Sequence, residues 1–494
     1  MTETRPEGGS PADRTRAGGR PADDVLAELL ALRAADPPTH GGRVLSYVYD
    51  PGRPDLDALA ERAATAFLPV NGLDPTTFTS VAAIERALVA RARATFHGSD
   101  DVVGSVTSGG TESCLLAVKA ARETWRAASS SRATAQERAT IVLATTAHPA
   151  FHKAAAYLDL DVVAVPVDPA SGRADPGRMV AALDEAGDRA ALVVVSAPSY
   201  PFGVVDPVAE VAAGAAERGV ACHVDACIGG WVLPWWGDLE PWDLAVPGVT
   251  SLSADLHKYG YAPKGASVVL HRGRDRHAAQ YFVTTAWPGY PVVNPTVLGS
   301  RAAGAMAAAW AIGEALGDDG YAELVGRTRS AVAVVRRALD ATAGLRVVGS
   351  PTGPLLALAA DEAADGTTDG AAGAVDPFRL VDALRARGWL AQCQPAMTQP
   401  DGTVLPRTAH LTLTAVTADV ADQLAADLVA AADAVRGVAP ADPDPGLVAR
   451  VLTEGLPDEL AGVMATLEAL PADVVRPALV QVLQAAIDPG PARA

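Results

Sequence analysis

Four short segments of the sequence carry residue types that could act together in catalysis. In the first, residues 104–123, a Ser108–Gly109–Gly110–Thr111 turn opens an amphipathic helix. Free backbone N–H groups and the positive end of the helix dipole make such a turn suitable for binding a phosphate. A Gly-Gly turn next to a Ser or Thr N-cap is also a common structural feature, and the segment matches neither the P-loop nor the G-x-G-x-x-G pattern. The turn alone leaves both interpretations open.

The other three segments supply a carboxylate, lysines and imidazoles. Asp225 ends an apolar strand, at the edge where open parallel sheets bind their ligands. Lys258 and Lys264 lie in a turn between two apolar strands, and His148 follows another strand, with His152 one helical turn further along. Each type also has an ordinary role, because Asp and His can cap helices and Lys can extend from a surface loop.

Taken together, these groups match the needs of a pyridoxal 5'-phosphate site. A lysine holds the aldehyde as a Schiff base, and a carboxylate keeps the pyridine nitrogen protonated so that the ring can accept an electron pair. An imidazole stacks on the ring face, and the start of a helix holds the phosphate. Their order and spacing along the chain agree with such a site.

The elements that must position these residues predict an α/β fold. From residue 140 onward, short β-branched runs alternate with longer Ala-rich helical segments, which indicates a mostly parallel sheet covered on both faces. The six predicted strands are 141–143, 162–165, 192–196, 220–224, 250–253 and 267–270. A long helical region, 300–339, then leads to a smaller α+β domain with strands at 355–359 and 411–414 and helices at 377–387 and 418–435.

The predicted domain organisation has five parts. They are a disordered leader (1–22), an N-terminal helical and loop segment (23–95), a large cofactor-binding domain (96–310), a small C-terminal domain (311–436) and a linker with an extra helical tail (437–494). Within the small domain, 361–376 is low in large apolar residues and is predicted to be a surface loop. Apolar residues at helical spacing predict packing helices in the tail. They are Leu447, Val448, Val451 and Leu452, followed by Leu460, Val463, Met464 and Leu467.

Composition excludes several classes of protein. The chain of 494 residues has 40 Lys plus Arg and 58 Asp plus Glu, and its net charge of −18 disfavours nucleic acids and anionic membrane surfaces. Four scattered cysteines cannot form a disulfide framework, and the spacing of Cys222 and Cys227 without a second pair argues against a metal site. No apolar run is long enough to span a membrane. We therefore expect a cytoplasmic protein without a metal.

Three motifs resemble one family of enzymes. "TSGGTES" (107–113), "HVDACIGG" (223–230) and "SADLHKYGYAPKG" (253–265) are similar to the sphingosine-1-phosphate lyase-like branch of the group II pyridoxal-phosphate-dependent decarboxylase superfamily. Weaker similarity extends from residue 42 to residue 436. The resemblance implies an aspartate aminotransferase-like, fold type I homodimer with active sites at the subunit interface.

The resemblance also implies roles for individual residues. Lys258 corresponds to the Schiff-base lysine, Asp225 to the partner of the pyridinium and His148 to the imidazole that stacks on the ring. The remaining implied cofactor contacts are Gly110, Thr111 and His257 at the phosphate, Gly299 and Ser300 from the neighbouring subunit, and Asn71 near the cofactor.

The resemblance bears on the substrate as well. Tyr49 and Lys264 match residues that hold the substrate phosphate in family lyases, but Asp74 stands where those lyases have a histidine. A carboxylate beside a phosphate dianion weakens binding unless it is protonated or turned away. The leading prediction is retro-aldol cleavage of a phosphorylated 2-amino alcohol to an aldehyde and phosphoethanolamine. An amino-acid decarboxylase with the same cofactor, in which CO2 leaves from Cα, is the alternative. For either reaction the expected partner is a small-molecule amine substrate. A cofactor-binding protein without turnover is disfavoured by the complete set of Lys258, Asp225 and His148.

Overall fold

The computed structural model describes residues 19–128, 137–361, 373–444, 446–447, 450–451 and 457–488. It divides the chain into a larger unit, Thr39–Pro440, and a smaller one formed by Met1–Pro38 with Ala441–Ala494. Most of the predicted leader and of the predicted 361–376 loop lie outside the described residues, as do Val448 and Leu452 of the tail.

A seven-stranded sheet forms the centre of the larger unit. Its strands are β1 (Val102–Thr107), β2 (Thr140–Ala144), β3 (Asp161–Val165), β4 (Ala190–Ser196), β5 (Ala221–Asp225), β6 (Val249–Ala254) and β7 (Ser267–Arg272). Their order in the sheet is β1-β7-β6-β5-β4-β2-β3. Strand β7 runs antiparallel to both of its neighbours, and the pairs from β6 to β3 are parallel. The predicted mostly parallel sheet and all six predicted strands are confirmed, and β1 is a seventh strand that the prediction lacked.

Helices cover this sheet and continue into the rest of the chain. In chain order they are α1 (Ala22–Arg33), α2 (Pro54–Ala66), α3 (Thr79–Thr95), α4 (Gly110–Ala127), α5 (Ala150–Leu158), α6 (Pro176–Ala186), α7 (Val208–Glu217), α8 (Arg274–Ala278), α9 (Gly304–Asp340), α10 (Pro377–Arg385), α11 (Ala421–Val435), α12 (Ala461–Ala469) and α13 (Ala472–Ile487). All seven residues of β4 are buried, as expected for a central parallel strand with helices on both faces.

A second, smaller sheet follows α9 in the chain. Its strands are β10 (Leu345–Val347), β11 (Leu355–Ala360), β12 (Gln392–Gln394) and β15 (Thr408–Thr412), in the antiparallel order β10-β11-β15-β12. Helices α10 and α11 pack around a core shared with this sheet. The predicted long helix corresponds to α9, but Gly317, with φ of 58°, interrupts it with a kink.

Two short hairpins complete the larger unit. They are β8 (Phe282–Thr284) with β9 (Val292–Asn294), and β13 (Met397–Thr398) with β14 (Val404–Leu405). The first carries several exposed apolar side chains, Phe282, Val283, Tyr290 and Val293 among them. These hairpins were not predicted from the sequence, because their strands have only two or three residues each.

The smaller unit is helical in its described part. Leu447, Val451 and Val463 are buried in one cluster, and Leu460 and Leu467 pack against it. Helix α12 contains the second of the two apolar repeats from which packing helices are predicted. Among the residues that the structure describes, no helix combines the length and the apolar character that crossing a membrane requires.

Candidate active site

Lys258 lies in the turn between β6 and β7 and forms an ion pair with a buried acid. Its Nζ is 2.9 Å from Oδ2 of Asp255, whose side chain is 2% exposed. Burial would lower the pKa of Lys258 and raise that of Asp255, but their attraction outweighs it, so the lysine pKa is raised and the aspartate pKa is lowered. The resulting ammonium group is held at a fixed position.

Asp225 is the last residue of β5, as the sequence predicts. Its Oδ1 accepts a hydrogen bond from the backbone N–H of Cys227 at 3.0 Å, and the side chain is buried. The strands on either side bring Ser196 and Ser253 level with it. The carboxylate therefore lies at the carboxyl edge of three adjacent parallel strands, where this type of sheet binds ligands.

One pocket of about 290 Å³ contains the three residues predicted to form the catalytic set. It is lined by Tyr47, Tyr49, His148, Ser196, Pro198, Tyr200, Asp225, Cys227, Ile228, Lys258 and Gln392. His148 lies between β2 and α5, and its Nδ1 accepts from the backbone N–H of Ala150 at 3.2 Å. Desolvation lowers the pKa of His148 and the charge of Asp225 opposes that shift. His152 lies on the exposed face of α5.

The predicted phosphate turn lies next to the ion pair, where β1 leads into α4. Helix α4 begins at Gly110, after Gly109 at its N-cap. A Cβ atom on Gly110 would lie 2.7 Å from Oδ2 of Asp255 and 2.9 Å from Sγ of Cys227, so a larger residue has no room. The backbone N–H and the hydroxyl of Ser108 both donate to Oε2 of Glu112, at 2.6 and 2.7 Å. Those two donors of Ser108 are therefore already in use.

The residues around this pocket fit pyridoxal 5'-phosphate. Lys258 can hold its aldehyde carbon, Asp225 its ring nitrogen and His148 a ring face. Gly110 leaves open the backbone at the first turn of α4, and Nδ1 of the nearby His257 is buried without a hydrogen-bond partner in the described structure. That polar atom and the free N–H groups of the helix start are suited to a phosphate.

Tyr49 and Lys264, two of the predicted substrate residues, lie close to each other, and Tyr49 lines the pocket. Nζ of Lys264 is 4.6 Å from the centroid of the Tyr49 ring and donates to the backbone oxygen of His257 at 3.2 Å. Desolvation and then the charge of Lys258 lower the pKa of Lys264 to about 8. Burial raises the pKa of Tyr49, so its phenol stays protonated at neutral pH.

The remaining predicted residues form a second group. Nδ2 of Asn71 is 3.4 Å from Oγ of Ser300, and Oδ1 of Asn71 accepts from the backbone N–H of Arg301 at 3.3 Å. Asp74, Gly299 and Ser300 line a different cavity, of about 1280 Å³. In the structure of this chain, none of these residues lines the pocket of Lys258.

Asp74 is ionised and is held by its own turn. Its carboxylate accepts from the backbone N–H and the hydroxyl of Thr76, at 2.9 and 2.6 Å, and from the hydroxyl of Thr77 at 2.9 Å. These hydrogen bonds lower its pKa to about 2. A carboxylate at this position accommodates a phosphate only if it is protonated or turned away. Asp74 is not protonated at neutral pH, so the first of these does not apply.

Several pocket residues were not predicted from the sequence. Tyr200 donates its hydroxyl hydrogen to Oε1 of Gln392 at 2.7 Å, and its ring packs on His410 with centroids 4.4 Å apart. Tyr200 follows β4 closely, so the rule that identified Asp225 at the end of β5 could have found it. Asp255, which pairs with Lys258 and is not part of the pocket lining, was also not predicted, and its i to i+3 spacing from the lysine was the available signal.

The fold and this pocket of lysine, carboxylate and imidazole define a pyridoxal-phosphate-dependent protein of fold type I. Residues 79–290 match the sequence model of the pyridoxal-dependent decarboxylase conserved domain. The chain is 35% identical over 345 residues to a sphingosine-1-phosphate lyase of Dictyostelium discoideum, covering 69% of this chain and 63% of that protein. It is 30% identical over 458 residues to the sphingosine-1-phosphate lyase of Saccharomyces cerevisiae, covering 90% of this chain and 73% of the relative. It belongs to the sphingosine-1-phosphate lyase family.

A solved structure agrees with this assignment. The sphingosine-1-phosphate lyase of Burkholderia pseudomallei superposes with a TM-score of 0.75 at 32% identity, covering 85% of this chain and 93% of that one. The chain spans less than two thirds of the length of the Dictyostelium relative. The predicted family, fold class and cofactor are confirmed.

Proposed function

We propose that this chain is a carbon–carbon lyase that cleaves a phosphorylated 2-amino alcohol, a sphingoid base 1-phosphate, into an aldehyde and phosphoethanolamine. The observation that carries the proposal is that Lys258, Asp225 and His148 line one pocket, in a chain that is similar to sphingosine-1-phosphate lyases. Tyr49 and Lys264 beside it supply a phenol and an ammonium group for an anionic head group.

The chemistry divides between cofactor and protein. When bound, the cofactor supplies an acceptor for the electron pair released as the Cα–Cβ bond of the substrate breaks. Lys258 would hold the aldehyde carbon of the cofactor when no substrate amine is bound there, and Asp225 would keep the ring nitrogen protonated. A base would take the 3-hydroxyl proton as the Cα–Cβ bond breaks and the aldehyde leaves, and a proton would then be delivered to Cα. Lys264, with its pKa of about 8, and the released Lys258 are the candidates for moving that proton.

The proposal includes a homodimer with composite sites and a cytoplasmic location. Asn71, Gly299 and Ser300 lie together but away from the Lys258 pocket of their own protomer, which is consistent with delivery to a second subunit. The apolar surface of the β8–β9 hairpin nearby is of the kind that subunits cover. The location rests on the cysteine content and the lack of a long apolar run.

Amino-acid decarboxylation is the second candidate, and Asp74 is the observation that favours it. The ionised carboxylate stands at the position where family lyases have a histidine for the substrate phosphate. Lys264 and Tyr49 would serve a substrate carboxylate equally well, and CO2 would then leave from Cα in place of an aldehyde.

The deciding experiment supplies the cofactor-loaded protein with a sphingoid base 1-phosphate and measures released fatty aldehyde. We expect aldehyde from the unmodified protein, none from Lys258→Ala, and unchanged release from Lys153→Ala, a surface variant on α5. Asp74→His is tested alongside. Release of CO2 from amino acids without aldehyde formation would establish the decarboxylase, and a loaded protein that does neither would overturn both candidates.

A further inference from the structure

Glu112 connects two parts of the molecule that are far apart in sequence. Its Oε2 accepts from the N–H and the hydroxyl of Ser108, and its Oε1 accepts from the backbone N–H of Val297 at 2.6 Å. The side chain is 8% exposed, and 185 positions separate it from Val297. One buried carboxylate therefore accepts hydrogen bonds from two different segments.

The segment on the Ser108 side is the phosphate turn at the start of α4. Its position decides where the N–H groups of Gly110 and Thr111 point. The segment on the Val297 side is the loop that ends in Gly299 and Ser300. Gln280 holds the beginning of that loop, since its Nε2 donates to the backbone oxygen of Pro295 at 2.6 Å.

Between its anchored ends this loop projects from the protein. Val297 and Leu298 are 59% and 46% exposed, whereas the far end is held by Asn71, which bonds to Ser300 and Arg301. The hydrogen bond from Val297 to Glu112 therefore fixes the middle of the loop, just before the two residues implied to reach the neighbouring subunit.

We propose that Glu112 is a positioning residue with two effects. It fixes the position of the phosphate turn in the active site of its own chain. Through the 297–300 loop, it also fixes the position of the residues that this chain contributes to the active site of the second subunit. This inference rests on the proposed composite dimer. A change at Glu112 should thus weaken cofactor binding in both sites of a dimer.

A simpler role for Glu112 would be to cap α4. An acid in the first turn of a helix is favourable on its own, and a glutamate that reaches back to N–H groups before the helix is a common cap. Such a cap would use Ser108 alone and would leave the second subunit unaffected. The hydrogen bond from the backbone N–H of Val297 distinguishes the positioning role from that of a simple helix cap.

Glutamine is the informative substitution, because all three groups facing Glu112 can donate. Glu112→Gln keeps one acceptor oxygen and places an NH2 group against an N–H donor on the Ser108 side or on the Val297 side. Leaving a buried donor without an acceptor should weaken cofactor binding about ten-fold. Glu123→Gln, on the same helix, removes one negative charge without touching either segment and serves as the control.

The test uses mixed dimers made from two differently tagged subunits. One subunit is unmodified, and the other carries Lys258→Ala with either Glu112→Gln or Glu123→Gln. Titration with pyridoxal 5'-phosphate, followed by borohydride reduction, reports occupancy at Lys258 of the unmodified subunit alone. We expect the Glu112→Gln partner to weaken binding in that subunit about three-fold or more, relative to the Glu123→Gln partner, since one buried hydrogen bond is lost.

Equal binding in the two mixed dimers, and again when Glu112→Ala, which removes both acceptor oxygens, replaces Glu112→Gln, would overturn the proposal and leave Glu112 as a cap. Failure of the underlying lyase proposal gives a different result: no label on Lys258 in any dimer, or label without aldehyde release. The circular dichroism of each variant establishes that the subunits are folded, purification through both tags establishes that they are paired, and a fully unmodified dimer gives the reference affinity.

Discussion

Lys258 and Asp255 illustrate how the site holds a charge inside the protein. A buried ammonium group is costly unless an acid compensates it, and the 2.9 Å ion pair with Asp255 does so. Asp255 also lies beside His257, whose Nε2 is 3.6 Å from Oδ2 of the aspartate. Desolvation lowers the pKa of His257, so Lys258 is the group that balances the charge of Asp255.

Lys264 should make substrate binding depend on pH. Its pKa is lowered from 10.5 to about 8, so the ammonium form is complete well below pH 8 and is lost as the pH rises through it. For an anionic substrate we expect KM to rise about ten-fold between about pH 7 and pH 9, with a smaller change in kcat. Lys264→Arg keeps its charge over this range and should flatten the KM profile. A KM of the unmodified protein that does not change with pH would contradict this role.

The closeness of Lys258, Asp225 and His148, which we propose to be catalytic, could be predicted from the sequence, but the contacts of Glu112 could not. Lys258 and His148 each follow a strand and Asp225 ends one, and residues at the carboxyl ends of parallel strands converge. Glu112 accepts hydrogen bonds from partners whose positions are fixed by packing. One of these partners, Val297, is 185 positions away, and no local pattern indicates it.

At the scale of elements, periodicity predicted the central strands well and the short ones poorly. Strand β4 is a continuous apolar run because helices cover both faces, and such a run is easily recognised. Strand β1 contains Gly104, whose missing side chain allows close approach to β7, where a Cβ would lie 2.3 Å from the oxygen of Val269. Glycine is generally unfavourable in strands. Gly104 therefore makes the pairing with β7 possible and is also the reason why β1 was not predicted.

Asp206, between β4 and α7, should lower stability at neutral pH. It is buried, it accepts from the N–H of Ser196 at 2.8 Å, and desolvation raises its pKa to about 6. Because the folded pKa exceeds the unfolded one, stability is greatest below about pH 4 for this group and is lost as the pH rises through 6.

Asp206→Asn keeps an acceptor for Ser196 and removes the buried charge. Relative to the unmodified protein, its free energy of unfolding should gain about 2 kcal/mol between pH 4 and pH 7. Urea unfolding at several pH values measures this difference, and the exposed Asp422→Asn in α11 is the control. A difference that does not vary with pH would show that the pKa of Asp206 is the same in the folded and the unfolded protein.

At the scale of the whole molecule, the β8–β9 hairpin offers the sharpest test of the proposed dimer. Val283 and Val293 face each other across the hairpin and are 61% and 53% exposed. Val283→Asp would place a charge in the interface and should weaken dimerisation about a hundred-fold or more. Val404→Asp, at an exposed valine of the other hairpin, is the matched control. Sedimentation that finds both variants equally dimeric would exclude the hairpin from the interface.

The order of strands in the large sheet also has a consequence for synthesis on the ribosome. The last residue of β1, Thr107, pairs with Ser267 of β7, about 160 residues further along the chain. At a synthesis rate of about 5–20 residues per second, β7 emerges from the ribosome roughly ten to thirty seconds after β1. During that time β2, β3 and β4 can already pair with one another. The turn that follows β1 is therefore among the last parts of the site to be fixed, and a nascent chain should capture its cofactor only after β7 has left the exit tunnel.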